Sequence, residues 1–284
     1  MTTAFVLSGG ASLGSIQVGM LLGLAEAGIV PDLIVGTSVG AVNGGWVASR
    51  PDEAGIRVLA EVWKSLTRGQ VFPSRPLTGL LGFVGLRSSL VPDTGLRRLL
   101  AENLAFTRME NAPIPFHVVA TDVLTGQDVL LSSGDAVDAI AASAAIPGVF
   151  PPVTIGGLSL VDGGVVNNNP LSHAVALGAD TIWVLPTGYS CALPKVPRGA
   201  LAIALHAATL AINHRLAIDV AHFEQTVRLH VIPPLCPVTI SPADFSQSAS
   251  LVARSYDATR EWLSTRHPAT GQAQLIDVHS RDHH

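Results

Sequence analysis

A serine stands between two glycines in the stretch Gly36-Thr37-Ser38-Val39-Gly40. An apolar run precedes it and small residues follow it, so the pattern predicts a strand, a tight turn and a helix. Gly-x-Ser-x-Gly in that setting exposes a nucleophilic serine at a helix N-terminus. The N–H groups and the dipole there favour developing negative charge. Ser38 is therefore a candidate nucleophile, and the alternative is a serine that only caps the helix.

A nucleophilic serine needs a base. Four of the histidines after Ser38 are spaced eight residues apart, so on a helix each would be turned about 80° from the last. They share no face and are interpreted as surface or packing residues: His206, His214, His222 and His230. Asp162 ends an apolar run and precedes Gly163 and Gly164, whose bare backbone lets another loop come close. Burial raises the pKa of a carboxyl group and makes it a usable base. The alternative is an ordinary Asp-Gly turn.

The first apolar run is followed by the glycine-rich sequence "LSGGASLG". It lacks the lysine of a P-loop and the glycine spacing of a dinucleotide-binding loop. Gly9, Gly10 and Ala11 stand ahead of a predicted helix that starts near Gly14. Successive backbone N–H groups at such a place can converge on one oxyanion. The loop is therefore a candidate oxyanion hole.

Strand-like and helix-like runs alternate, which favours an α/β fold with a largely parallel sheet. The sequence "TDVLTGQD" predicts a hairpin in which Asp122 has a structural role. No linker separates two cores, so residues 1–284 are expected to form one domain, with a motif-bearing core at about 3–186 completed by 187–284. Buried strands are predicted at 3–7, 33–35, 116–123, 128–133, 181–186 and 226–233, and helices at 14–28, 39–49, 53–67, 94–104, 136–146, 199–222 and 247–265.

Composition limits the possible functions. Charged residues make up only 13% of the chain, about half the usual share, and the net charge of −4 gives no support for nucleic-acid binding. We find no signal-peptide pattern and no apolar run long enough to predict a spanning helix. Cys191 and Cys236 are too few for a disulfide framework and fit a reducing compartment or use in the core. We expect a cytoplasmic protein whose apolar surface allows transient contact with a membrane.

Residues 68–95 interrupt the alternating pattern with glycines, prolines and apolar side chains. Two interpretations remain open. The segment is either a lid or apolar contact surface, or an ordinary long connection packed on the core.

Together the motifs resemble those of the patatin-like phospholipases. The similar stretches cover about residues 3–186 and keep the family's order: "FVLSGGASLGSIQVGMLLGLAEAGI", "IVGTSVGAVNG", "VVATDVLTGQDVLL", "AIAASAAIPGVFPPV" and "LVDGGVVNNNPL". The resemblance implies a three-layer α/β/α sandwich with a mainly parallel central sheet. It also implies a catalytic dyad of Ser38 and Asp162 with no histidine, and no metal or organic cofactor. The oxyanion would be held by Gly9, Gly10 and Ala11, and the glycines flanking the motifs are Gly14, Gly36, Gly40, Gly163 and Gly164.

The chain departs from the family pattern in the glycine loop. Ala11 replaces the usual third glycine, and Leu13 stands where a basic residue is usual. Leucine cannot pair with a phosphate, so the departure bears on head-group preference more than on hydrolysis. The implied function is hydrolysis of lipid or fatty-acyl esters through an acyl-enzyme, in lipid catabolism. Acyl transfer by the same dyad and non-catalytic lipid binding remain alternatives.

A run of three asparagines and a proline follows Asp162 at residues 167–170. Asparagine and proline favour turns and caps. We expect this run to brace the loop that carries Asp162.

Overall fold

The computed structural model describes residues 1–73, 89–188, 199–236, 238 and 240–265. The strands in these ranges are β1 Thr3–Leu7, β2 Leu33–Thr37, β3 Phe116–Asp122, β4 Asp128–Leu131, β5 Val153–Ile155, β6 Leu158–Asp162, β7 Thr181–Leu185 and β8 Arg228–Val231. The α-helices are α1 Gly14–Glu26, α2 Val39–Ser49, α3 Glu53–Ser65, α4 Arg68–Val71, α5 Thr94–Asn103, α6 Ala136–Ser143, α7 Leu171–Ala176, α8 Ala200–Phe223 and α9 Ser248–Ser264. Short 3-10 helices lie at Ala11–Leu13, Met109–Asn111 and Gly163–Val165.

The strands form one mixed sheet. Its hydrogen-bonded order is β5-β6-β3-β2-β1-β7-β8, and β4 also pairs with β3. The pairs β3-β2, β2-β1, β1-β7 and β7-β8 are parallel, whereas β4, β5 and β6 pair antiparallel. The predicted α/β fold with a mainly parallel sheet is therefore confirmed, and the antiparallel pairing of β5 and β6 is an addition to it.

Strands β2 and β6 meet end to end beside β3. Strand β4 overlaps both of them along β3, so β4 occupies one edge of β3 while β2 and β6 share the other edge. Thr37, the last residue of β2, pairs with Val119, and Asp162, the last residue of β6, pairs with Ala120. The two strand ends thus bring the residue after Thr37 next to Asp162.

Helices cover both faces of the sheet because side chains alternate along each strand. In β1, Phe5 and Leu7 belong to the core under α1, α2 and α3, whereas Ala4 and Val6 belong to the core under α7 and α8. This is the three-layer α/β/α arrangement.

Helices α3 and α1 pack in different ways, and their sequences explain the difference. Helix α3 is amphipathic: Asp52 caps its start by accepting from the N–H of Gly55, and Ile56, Leu59 and Trp63 are buried. Helix α1 is buried along most of its length because α9 lies directly against it. A Cβ on Gly19 would come 2.4 Å from the backbone oxygen of Val252, so only glycine permits that helix spacing.

The predicted hairpin is present, since β3 and β4 pair antiparallel. Asp122 accepts hydrogen bonds from the Leu124 N–H and the Thr125 hydroxyl, which confirms its structural role. Helix α6 ends at Ser143, three residues earlier than predicted, because Pro147 follows and disfavours helical backbone just before it.

Within the segment 68–95, residues 74–88 lie outside the described residues. Both interpretations of the segment, as a lid or as a packed connection, therefore stay open. Helix α4, Arg68–Val71, starts that segment, and Val71 is buried in the core.

Cys236 is disulfide-bonded, which does not fit the interpretation that the cysteines are typical of a reducing compartment. Disulfides are more typical of oxidising compartments than of the cytosol, and the cytoplasmic location stays a prediction. Among the helices of the described ranges, none has the length and apolar content needed to cross a membrane.

Candidate active site

The backbone at Ser38 forms a strained turn between β2 and α2. Ser38 has φ 54° and ψ −123° at the N-cap of α2. In the described part of the chain, only Ser38 and Ala11 are non-glycine residues with positive φ. The turn also needs its glycines, because a Cβ on Gly36 would lie 2.5 Å from the Gly40 oxygen and one on Gly40 would lie 2.1 Å from the Leu7 oxygen. Strain of this kind is concentrated at functional sites.

The hydroxyl of Ser38 meets the carboxyl group of Asp162. The Ser38 Oγ donates a hydrogen bond to Asp162 Oδ2 at 2.6 Å, across 124 residues of sequence. Both side chains are buried, with 5% and 7% exposure. Burial raises the pKa of Asp162 to about 6, against the hydrogen bonds from Ser38 and from the Gly164 N–H, which lower it. A carboxylate so placed is poised to accept a proton near neutral pH.

Ser143 holds the backbone of Ser38 and has no counterpart in the sequence prediction. Its hydroxyl accepts a hydrogen bond from the Ser38 N–H at 2.8 Å and donates one to the Val119 oxygen at 2.6 Å. These two hydrogen bonds connect α6 to β3 and hold the turn at Ser38 in place. The signal was hidden in the run of small residues in "AIAASAAI", where nothing distinguishes one serine.

The glycine loop lies beside Ser38. A Cβ on Gly9 would be 3.1 Å from the Cβ of Ser38. The Gly9 N–H donates to the backbone oxygen of Asn168 at 3.3 Å. Within the described residues, the N–H groups of Gly10 and Ala11 donate to no protein acceptor. Of the three predicted donors, Gly10 and Ala11 are thus the ones with free N–H groups.

Thr187 clamps this loop from the end of β7. Its hydroxyl donates to the Gly9 oxygen at 2.6 Å, and its N–H donates to the Ser8 hydroxyl at 2.9 Å. Because a peptide group is planar and trans, fixing the Gly9 carbonyl also fixes the direction of the Gly10 N–H. Thr187 lies after the last sequence motif, so no pattern could have indicated it.

The asparagine run braces the site as predicted. The backbone oxygen of Asn167 accepts a hydrogen bond from the Thr37 hydroxyl at 3.0 Å, and the side-chain amide of Asn167 donates one to Asp128. Asn168 connects the loop to Gly9 through the backbone bond already described. Asn167 is fully buried, so the loop after Asp162 is tied to the strand that ends at Ser38.

The remaining predicted glycines mark close approaches around the pair. Gly14 starts α1, and a Cβ there would lie 2.4 Å from Val39 Cγ2. A Cβ on Gly163 would lie 2.2 Å from the Val119 oxygen. A Cβ on Gly164 would lie 2.7 Å from the Asn168 side-chain oxygen. These contacts pack the three loops of the site tightly together.

Ser38 lines an apolar cavity of about 50 Å³. Every other lining side chain is apolar. These side chains come from the glycine loop, from the part of the chain between α2 and α5, from the segment after α6 and from the loop before α9; examples are Ala11, Val39, Phe72, Leu96, Phe150 and Phe245. A second cavity of about 40 Å³ lies beyond it, under α2, α3 and α5. The residues shared by both cavities are Val42, Trp63, Leu66 and Leu99.

A buried chain of hydrogen bonds joins the cavity wall to the glycine loop. Trp63 Nε1 donates to Asn43 Oδ1, and Asn43 Nδ2 donates to Gln17 Oε1, each at 2.9 Å. Gln17 Nε2 in turn donates to the backbone oxygens of Ser8 and Leu185. One polar network therefore fixes both the position of Trp63 and the strand ends next to the glycine loop.

The model of the patatin-like phospholipase family matches residues 5–175, more than half of the chain. The chain belongs to this family. In this patatin-like protein the position usually held by a basic residue is filled by Leu13, which packs against the core. Ala11 replaces glycine at a positive φ of 51° and lines the cavity with Ser38.

Curated relatives have further regions. Patatin-like phospholipase domain-containing protein 7 of Rattus norvegicus is 30% identical over 187 residues, which are 65% of this chain and 13% of that protein. An uncharacterised NTE family protein of Mycobacterium tuberculosis is 34% identical over 182 residues, which are 62% of this chain and 46% of that protein. The chain thus spans less than half the length of these relatives.

Two solved structures are similar over most of the chain. VipD from Legionella pneumophila has a TM-score of 0.48 and 14% identity, over 98% of this chain and 67% of that chain. Human GIVD cytosolic phospholipase A2, in complex with methyl gamma-linolenyl fluorophosphonate, has a TM-score of 0.47 and 11% identity, over 98% and 59%. Family membership is assigned by the sequence match and not by these structures.

Proposed function

We propose that this protein hydrolyses acyl esters of lipids, with Ser38 as nucleophile and Asp162 as general base. The observation that carries the proposal is the 2.6 Å hydrogen bond from Ser38 Oγ to a buried carboxyl group whose pKa is raised to about 6. A base with a pKa near the working pH combines a populated carboxylate with a useful affinity for the proton. Family membership supports a lipid as the substrate.

The reaction proceeds in two halves. Asp162 Oδ2 takes the proton from Ser38 Oγ as that oxygen bonds to the acyl carbon, and the carbonyl electrons move to the oxyanion. The intermediate collapses, and protonated Asp162 gives its proton to the leaving alcohol. In the second half, Asp162 takes a proton from water, which attacks the acyl-enzyme. Ser38 regains its proton when the acid leaves.

The N–H groups of Gly10 and Ala11 are the proposed oxyanion donors. Gly9 is not proposed as an oxyanion donor, because its own N–H donates to the backbone oxygen of Asn168. Backbone donors fixed before the reaction need no reorganisation as charge develops, and losing one costs about 3–4 kcal/mol in the barrier. In this scheme Gly9 contributes through its carbonyl, which Thr187 anchors.

The apolar cavity beside Ser38 is proposed to hold the acyl chain. Its walls offer no charged side chain, which suits a hydrocarbon and disfavours a polar acyl group. Leu13 offers no charge to a phosphate, so we propose that selection at this loop acts on the acyl chain.

Replacing Ser38 with alanine tests the proposal. The Ser38→Ala protein should lose hydrolysis of p-nitrophenyl butyrate, whereas Ser65→Ala, at an exposed serine of α3, should keep it. Unchanged hydrolysis by purified Ser38→Ala would contradict the assignment. Product analysis of wild type with an added alcohol separates hydrolysis from acyl transfer, since transfer yields a new ester.

A further inference from the structure

The first half of helix α8 carries an exposed apolar surface. From Ala200 to Asn213 the sequence contains no Asp, Glu, Lys or Arg. Ile203 and Leu210 are 50% and 49% exposed. Alanines at positions 204, 207 and 208 are also exposed, and so is Thr209. At about 100° per residue, Ile203, Leu210 and the three alanines lie within one stripe of about 160°, and Thr209 lies outside it. The segment therefore has an apolar face without a charged residue.

The second half of α8 packs against the sheet and fixes where the first half lies. Leu216 and Val220 are buried in the core on that face. Since α8 joins the parallel neighbours β7 and β8, it must run from the carboxyl edge of the sheet back to the amino edge. A helix of 24 residues is about 35 Å long, whereas a five-residue strand measures only about 16 Å. The first half therefore extends beyond the carboxyl edge, where Ser38 follows β2.

We propose that residues 200–213 of α8 insert into the surface of the lipid layer that holds the substrate. The choice of a lipid substrate rests on the proposed function, but the surface is a separate part of the molecule. A helix lying in a lipid interface buries one apolar face and keeps its polar residues towards the head groups. The stripe on α8 has this form, and it lies at the edge of the sheet where Ser38 follows β2. The segment is about 21 Å long, shorter than the roughly 30 Å hydrocarbon core, so it lies in the interface and does not span it.

The charge pattern favours an anionic lipid surface. The chain has a net charge of −4, yet no Asp or Glu occurs between Asp180 and Asp219. Arg215 lies two residues after this segment and is partly exposed, although it also pairs with Asp219. An apolar segment free of acidic residues and followed by a cation can approach anionic head groups without repulsion.

Vesicle flotation tests this surface with two matched double variants. Ile203→Glu/Leu210→Glu changes the proposed surface, whereas Val30→Glu/Val58→Glu changes two apolar residues that are each 53% exposed elsewhere. With mixed phosphatidylcholine and phosphatidylglycerol vesicles, we expect wild type and the Val30/Val58 variant to float. The partition coefficient of the Ile203/Leu210 variant should fall roughly tenfold or more. Its hydrolysis of soluble p-nitrophenyl butyrate should be unchanged.

Ser38→Ala protein should float like wild type, which separates failure of the docking surface from failure of the proposed chemistry. The inference is overturned if wild type does not float or if both double variants lose flotation equally. It is also overturned if the Ile203/Leu210 changes only split a dimer, measured by light scattering, because the face would then join two copies. A much larger fall in thermal midpoint than in the Val30/Val58 variant would show that the chain itself covers these residues.

Discussion

At the scale of single residues, the site combines strained backbone with a buried carboxyl group, and the stability of the rest of the fold offsets both. Ser38 and Ala11 both have positive φ, and Asp162 is buried with a pKa raised to about 6. A positive φ on a residue with a side chain costs on the order of 1 kcal/mol. These features are unfavourable for folding and favourable for placing a nucleophile, a base and free N–H groups together.

The carboxylate of Asp162 should cost stability as the pH rises. Its pKa in the folded protein lies above the ordinary 3.8, so the native state binds the proton more tightly than the unfolded state. The penalty is absent below pH about 4, grows between 4 and 6, and reaches about 3 kcal/mol above that range. Asp162→Asn should therefore be inactive yet more stable than wild type at pH 8 by about 1–3 kcal/mol.

Urea unfolding at pH 8 and at pH 4 measures this effect. The difference between Asp162→Asn and wild type should shrink towards zero at the lower pH. A variant that is equally destabilised at both pH values would show that the carboxylate is not strained by burial.

Thr187 should act as a positioning residue for the oxyanion hole. Thr187→Val keeps the shape but removes the hydrogen bond to the Gly9 oxygen, so the Gly10 N–H loses its fixed direction. We expect kcat to fall by roughly 10- to 100-fold with little change in KM, somewhat less than the loss of a donor itself. Thr187→Ser, which keeps the hydroxyl, should retain most of the activity. Equal kcat values for the two variants would rule out this role.

The sequence could supply Ser38 and Asp162 because each belongs to a short pattern with its own glycines. It could not supply Ser143 or Thr187, because each acts through one hydrogen bond to a residue more than 100 positions away. It also could not tell that the Gly9 N–H is engaged by Asn168. Local patterns predict which residue carries the chemistry, and tertiary contacts decide which residues orient it.

At the scale of elements, the pair of Ser38 and Asp162 depends on two strands that share one edge of β3. Strand β2 runs towards the site and β6 runs back towards it from the opposite direction. Alternating apolar patterns predicted most of the strands. They could not predict that β6 is antiparallel and continues the line of β2, since its pairing with β3 joins residues about 40 positions apart and leaves no local signal.

The wall between the two apolar cavities should set the preferred acyl length. Leu99 on α5 lines both cavities, whereas Leu96 on the same helix lines only the one at Ser38. Leu99→Ala should join the cavities and raise the ratio of octanoate to butyrate hydrolysis by roughly tenfold, because about two further CH₂ groups would be buried at about 0.8 kcal/mol each. Measurement of kcat/KM on the two p-nitrophenyl esters checks this.

Leu96→Ala is the matched control for the cavity wall. It removes the same number of atoms without opening the second cavity, so the ratio should change much less. The same shift in both variants would mean that cavity size alone, and not the wall, sets the preference.

At the scale of the whole molecule, the alternation of strands and helices predicted the α/β class, and the family resemblance implied the three layers. The elements that the sequence predicted have boundaries within a few residues of those observed. The C-terminal part adds β8 to the same sheet and α9 to the same helical layer as α1. We propose on this basis that residues 1–284 act as one domain. The sequence could not indicate that the first half of α8 extends beyond the sheet, because its apolar residues are typical of a buried helix.

The proposed active-site cavity and the proposed lipid-contacting helix lie at the same edge of the sheet. A protein docked through the first half of α8 would present Ser38 towards the layer from which an acyl chain must come. The chemistry and the docking remain separable, because α8 contributes no residue to the dyad.

The most direct test of the central claim is the rate at which a fluorophosphonate labels the protein as a function of pH, with the modified residue identified by mass spectrometry. We expect a single adduct on Ser38. The labelling rate should fall about tenfold per pH unit below about pH 6, because Asp162 becomes protonated. The labelling rate should also be severely reduced in Asp162→Asn. An adduct on another residue, or a rate on Ser38 that neither low pH nor Asp162→Asn reduces, would contradict it.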